Sequence, residues 1–126
     1  MSSPYLMLIY TDPELVAALP AEEYDGLMRD CIRHADELRA AGTLIDSQQL
    51  EPVATARALR TRNGATRVLD GPFAETKEIL AGFNLIRADG LDEAIAIAHQ
   101  FPWSRFGCIE VRPVRDFDAE RRRVGA

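Results

Sequence analysis

The chain is poor in the groups on which metal, redox and cofactor chemistry depends. It has two histidines and two cysteines in 126 residues. No HxxxH or CxxC spacing joins them, and two of each leave too few ligands for a zinc site and no redox pair. Cys31 and Cys108 read instead as small core residues. There is no GxGxxG, no P-loop lysine motif and no GxSxG, so nucleotide-cofactor enzymes and serine hydrolases are disfavoured; no metal and no cofactor are expected. Basic residues are outnumbered 15 to 20, for a net charge of −5, which argues against nucleic acid or an anionic membrane as partner. The basic cluster Arg121-Arg122-Arg123 sits beside Asp116, Asp118 and Glu120 and reads as a solvated, frayed tail. The apolar segment Tyr5–Tyr10 is too short to span a bilayer. Met1-Ser2-Ser3-Pro4 has no basic n-region, and the cytoplasm is the expected location.

What is present suits a small domain. Hydrophobic residues make up 47% of the chain, enough for one core over residues 1–114, with 115–126 as a charged C-terminal tail. Tyr5-Leu6-Met7-Leu8-Ile9-Tyr10 is apolar at every position and predicts a strand buried on both faces, ended by Thr11-Asp12-Pro13. Pro20-Ala21-Glu22-Glu23 reads as a helix start. Tyr24, Leu27, Met28, Cys31, Ala35 and Leu38 recur at helical spacing, and Gly42 is a stop. A strand is predicted over Thr43–Glu51. A hairpin follows, Ala56–Arg62 and Ala65–Leu69 about Asn63-Gly64. Next come a strand over Leu80–Ala88 whose Gly82 suggests a bulge or close approach, a helix from Leu91 to Ala98, and a strand over Cys108–Val114. Without the hairpin this order is an α+β, ferredoxin-like split βαβ. Two helices cover one face of such a sheet, yet the first strand has two apolar faces. A second copy of the chain is the simplest cover, which predicts a homodimer built as a dimeric α/β barrel.

Between the hairpin and the next strand runs Asp70-Gly71-Pro72-Phe73-Ala74-Glu75-Thr76-Lys77-Glu78. Gly71 relaxes the backbone, Pro72 fixes it, and charges crowd the stretch. This motif, followed by Gly82-Phe83, resembles the signature of the DGPF subgroup of YCII-related proteins. The opening strand, Glu37–Gly42, Leu91–Ala94 and Glu110–Val114 are similar too. The resemblance implies a ferredoxin-like dimeric α/β barrel. Some relatives resemble small-molecule lyases or isomerases with a His and an Asp facing a cleft. By spacing to Gly42, that His falls near Cys31, and the Asp of the relatives' Asp-Pro pair falls at Phe101. Both groups are absent here at the matching positions.

The candidate site residues follow from the connection and the last strand. Asp70 is a general base or a turn former. His34, at the edge of the first helix's apolar stripe, is a proton carrier or a packed side chain. Lys77 is an anion clamp or a local ion pair, and Thr76 a hydroxyl donor to a ligand or to nearby backbone. Glu110 and Arg112 share a strand face opposite Ile109 and Val111, so Arg112 is a carboxylate anchor or half of an ion pair. Whether the protein is an enzyme stays open. One reading is a dimeric domain that binds a small anionic or aromatic molecule in a cleft beside the connection. The other is a cofactor-independent lyase or isomerase acting on a small organic acid, with Asp70, His34 or Glu110 moving protons. In both, Asp70, Lys77 and Arg112 are expected to approach one cleft.

Overall fold

A strand with apolar side chains on alternate positions needs cover on whichever face they point to, and β1 (Ser3–Thr11) is the centre around which that cover is arranged. A computed structural model describes residues 1–72 and 76–126. After β1 come a short helix α1 (Pro13–Ala17) and the long helix α2 (Ala21–Ala40). Strand β2 (Leu44–Gln49) leads through a 3₁₀ turn to the hairpin strands β3 (Arg57–Arg62) and β4 (Ala65–Asp70). Then follow β5 (Ile79–Ala88), α3 (Leu91–His99), a 3₁₀ segment at Pro102–Phe106, β6 (Gly107–Pro113) and α4 (Phe117–Val124). The main sheet is antiparallel with strand order β2-β5-β1-β6. This mixed α+β arrangement is compatible with the ferredoxin-like split βαβ expected from the element order.

Register assigns the faces. Tyr5, Met7 and Ile9 point to the helices and are buried, Met7 completely. Opposite them on β5, Ile86 and Ala88 are buried too. Ala94, Ile97 and Ala98 of α3 close over this face, with Phe101 and Trp103 from the 3₁₀ segment. Leu6, Leu8 and Tyr10 point the other way with Leu85, Phe83 and Leu80 as cross-strand partners. Among the described residues no helix packs over these six, and that face is left uncovered. On the flanking strands the same face carries Asp46 and Gln48, and Cys108, Glu110 and Arg112. It is an apolar centre between two polar margins.

The hairpin forms a second, two-stranded sheet of its own. Asn63 (φ 52°) and Gly64 (φ 76°) both take positive φ in its turn, as a type I′ turn requires. Every residue of β4 is exposed. The accessible surface totals 9033 Å², against about 6,700 Å² for a compact monomer of this mass. The excess of about 2,300 Å² reflects elements that stand away from the core.

Strand β1 ends at Thr11 as expected, and the Asp12-Pro13 pair does more than end it; two other expectations need correction. Asp12 caps α1, its Oδ1 accepting from the Glu14 N–H at 3.0 Å, and Pro13 takes the first helical position, where a missing N–H costs nothing. The tail is solvated but not frayed. Asp116 accepts from the Ala119 N–H at 3.1 Å to start α4, and Gly125 ends it at φ 75°, where a side chain is disfavoured. Cys108 is exposed on the uncovered sheet face, not in the core.

Gly71 takes φ 86° and its N–H donates to the Ala56 carbonyl at 2.8 Å, closing the base of the hairpin. A Cβ there meets open space, so only backbone strain opposes it. Gly71→Ala is expected to cost about 1 kcal/mol, read as a lower urea midpoint at unchanged slope.

Candidate functional site

Two concavities lie on opposite faces of the main sheet. The first is an open cleft of about 880 Å³ beside the hairpin-to-β5 connection. Its floor is the end of the uncovered face, Tyr10, Cys108 and Glu110, and its wall is Thr76, Lys77 and Glu78. Asp12 is the fixed point. Its side chain is 5% exposed, its backbone N–H donates to the Phe106 carbonyl at 2.8 Å, and its Oδ2 lies 3.6 Å from Lys77 Nζ. Lys77 is thereby tied to a carboxylate the sequence reading had not assigned to it. The signal for Asp12 was present, since Asp-Pro-Glu is a helix-start pattern, but its pairing with Lys77 spans 65 positions and has no local signature. Thr76 Oγ1 donates to the Glu78 carbonyl at 2.5 Å, a local bond that needs no ligand.

The cleft brings Thr76, Lys77 and Glu110 together but not the other candidates. Asp70 is on the hairpin, exposed, with Oδ1 3.2 Å from Arg57 Nε. Arg112 sits two residues beyond Glu110 on the same face and does not line the cleft. His34 is on α2, across the sheet, with its ring 5.1 Å from that of Phe101 and Nδ1 4.0 Å from Glu37 Oε2. Within one chain, then, Asp70, Lys77 and Arg112 do not share a described cavity. The hairpin carries Asp70 away from the main sheet, and strand direction carries Arg112 toward the far end of β6. Of the connection itself, Phe73, Ala74 and Glu75 lie outside the described residues. Among the described residues the cleft's charges are three carboxylates, Asp12, Glu78 and Glu110, against one ammonium already paired. Such a wall repels a small anion.

The second concavity is a more enclosed cavity of about 360 Å³ between α2 and the helix-facing side of the sheet. It exists because α2 stands off. No residue of its twenty is fully buried, whereas α3 buries three of its nine. Tyr24, Met28, Cys31 and Ala35 form the roof, and Phe101 and Trp103 an end wall. The floor is Ser47, Gly82 and Asn84. Gly82 is required there, because a Cβ would come 2.6 Å from the Gln48 carbonyl oxygen on the paired strand. Asn84 is 4% exposed. Its Oδ1 accepts from Ser47 Oγ at 2.6 Å, and its amide nitrogen has no partner among the described residues. No charged side chain lines this cavity. Burial pushes the Cys31 thiol above its ordinary value, and the Trp103 indole N–H beside it offsets this only in part. The thiol is held protonated and is a poor nucleophile. His34 Nε2 is buried with no partner among the described residues.

Among the described residues no group of three potential metal ligands converges, and no helix is long and apolar enough to cross a membrane. Comparison with known proteins gives two findings. The family model described as the YCII-related domain matches residues 3–118. An uncharacterized protein of Rhizobium meliloti (strain 1021) is 40% identical over 112 residues, which covers 87% of this chain and 90% of that protein.

Proposed function

This chain belongs to the YCII-related domain family, and on that premise we propose that it is a cytoplasmic, homodimeric binding protein of the DGPF subgroup whose ligand is a small, uncharged aromatic molecule held between α2 and the sheet. The observation that carries this reading is the free amide of Asn84 in a cavity with aromatic and thioether walls and no charge. A volume of about 360 Å³ suits a one- or two-ring compound, and a single polar group aimed at an apolar slot is the usual arrangement for orienting such a ligand. Cys31 and Phe101, the positions at which the resemblance puts the relatives' acid and base, both line the cavity. Neither serves as a proton carrier there, so the reading is binding rather than turnover. The lyase or isomerase alternative needs two proton carriers in one pocket. Asp70, His34 and Glu110 occupy three separate places. The anionic ligand expected beside the connection loses support from the three carboxylates of that cleft.

Dimerisation has separate support. The uncovered face presents Leu6, Leu8, Tyr10, Leu80, Phe83 and Leu85 as one patch, and patches of this kind mark association surfaces. The surface excess of about 2,300 Å² is of the order a stable dimer buries.

The protein has one tryptophan, and it lines the cavity, so ligand entry is readable directly. Titration with 2-naphthol is expected to change Trp103 emission saturably, while 2-naphthoate is expected to bind at least tenfold more weakly because its carboxylate has no cation to meet. Asn84→Leu is expected to weaken 2-naphthol about tenfold, the worth of one hydrogen bond, and to leave naphthalene unaffected. Ala35→Phe is expected to fill the slot and abolish both. Equal affinity for the acid and the phenol, or no saturable response, would overturn the reading.

A further inference from the structure

The hairpin has features that nothing else in its own chain accounts for. Register puts Arg60 directly across from Arg67, with Arg62 on the same face one pair further. Like charges directly opposite on a sheet destabilise it. Neither Arg60 nor Arg67 has an ion-pair partner among the described residues. The other face pairs Leu59 with Val68, 73% and 66% exposed. Both faces of this ribbon are thus unfinished, one basic and one apolar. Its six-residue strands reach about 20 Å at the usual rise. Two sheets packed face to face are about 10 Å apart, so an arm of this length crosses easily from one copy to another. The chain meanwhile presents a complementary surface. The cleft beside the connection holds Glu78 and Glu110 with no ion-pair partner among the described residues, and it opens on the same uncovered sheet face that carries the apolar patch.

We propose that the β3–β4 hairpin is an exchange arm: in the dimer each copy sets Arg60 and Arg67 against Glu78 and Glu110 in the cleft of the other. The inference rests on the dimer reading above and adds to it which charges meet. Charge complementarity selects a second copy as the occupant. The arm carries the cations missing from the cleft, and in a twofold assembly both clefts are filled at once. It also gives the acidic cleft a role that needs no small anion.

Sedimentation velocity at micromolar concentration, at low and high salt, tests it with four samples: wild type, Arg60→Glu/Arg67→Glu, Glu78→Arg/Glu110→Arg, and a mixture of the two variants. All substituted positions are exposed, and circular dichroism checks that each variant folds. Each variant alone is expected to associate at least tenfold more weakly than wild type, because its like charges meet in both arms. The mixture is expected to recover the wild-type dimer as a heterodimer, since acidic arms then meet basic clefts and basic arms meet acidic ones. Weakening by salt is expected for wild type. A wild-type monomer would overturn the dimer reading and the arm with it. A wild-type dimer matched by both variants, or variants weakened without recovery on mixing, would overturn the arm alone and leave the dimer standing.

Discussion

Gly107→Ala is expected to destabilise the domain by about 3 kcal/mol, with loss of soluble expression as the visible consequence. Gly107 has φ 169°, an extended conformation open to any residue, so the demand for glycine is one of contact and not of torsion. It opens β6 opposite Thr11, and a Cβ there would run into the Tyr10 carbonyl oxygen and come 2.9 Å from Thr11 Cα. Both obstacles are backbone of the central strand, which is paired on its other side with β5. Neither can rotate away as a side chain would. Relief requires β6 to lift from β1, and the adjoining bond from the Asp12 N–H to the Phe106 carbonyl, 2.8 Å, would go with it. Overpacking costs of about 1–3 kcal/mol are usual where atoms can shift, and this site is at the stiff end. Gly90→Ala is the control. Its backbone is also extended (φ 169°) and a Cβ meets nothing within 4 Å, so its urea midpoint is expected to stay at the wild-type value. Equal midpoints for the two variants would show that β6 is less firmly held than its pairing implies.

The parts of the fold that could be read from sequence are those set by local pattern. Alternate positions of β1, the 3.6-residue stripe from Tyr24 to Leu38 and the Asn63-Gly64 turn each encode their own conformation. Asp12-Pro13-Glu14 and Asp116 with Gly125 encode helix ends as well, but α1 spans five residues and α4 eight, too short for an apolar stripe to announce them. The sites depend on what is far apart in the chain. Lys77 meets Asp12 because β5 returns beside β1, and the cavity beneath α2 exists because that helix stands off the sheet. No spacing within α2 records that distance. The resemblance to the YCII-related family points, through Cys31, to the face of α2 that lines the cavity. Arg60 and Arg67 stand on the local side of this divide, since the two-residue Asn63-Gly64 turn fixes the register that sets them opposite each other.

Leu8→Asp is expected to break the proposed dimer into monomers at micromolar concentration without unfolding the chain. Leu8 is the middle residue of the uncovered face, with Phe83 opposite on β5 and Glu110 opposite on β6. In a single copy it is only half-buried, and a carboxylate there still reaches water, so the fold tolerates it. Once a second copy covers the face, the same carboxylate must be dehydrated beside Glu110 and, by twofold symmetry, close to its own counterpart. An uncompensated buried charge costs about 3–5 kcal/mol, which is a loss of about a thousandfold in association. Leu8→Ala is expected to weaken the dimer far less, because it removes area without adding charge. Asp36→Lys, exposed on α2 on the other side of the sheet, is expected to leave it intact. Sedimentation of the three variants beside wild type reads the result, with circular dichroism to confirm folding. If Leu8→Asp sediments as wild type does, the apolar patch is not the dimer interface. If it unfolds while Leu8→Ala does not, the face is part of the core of one chain and needs no second copy to cover it.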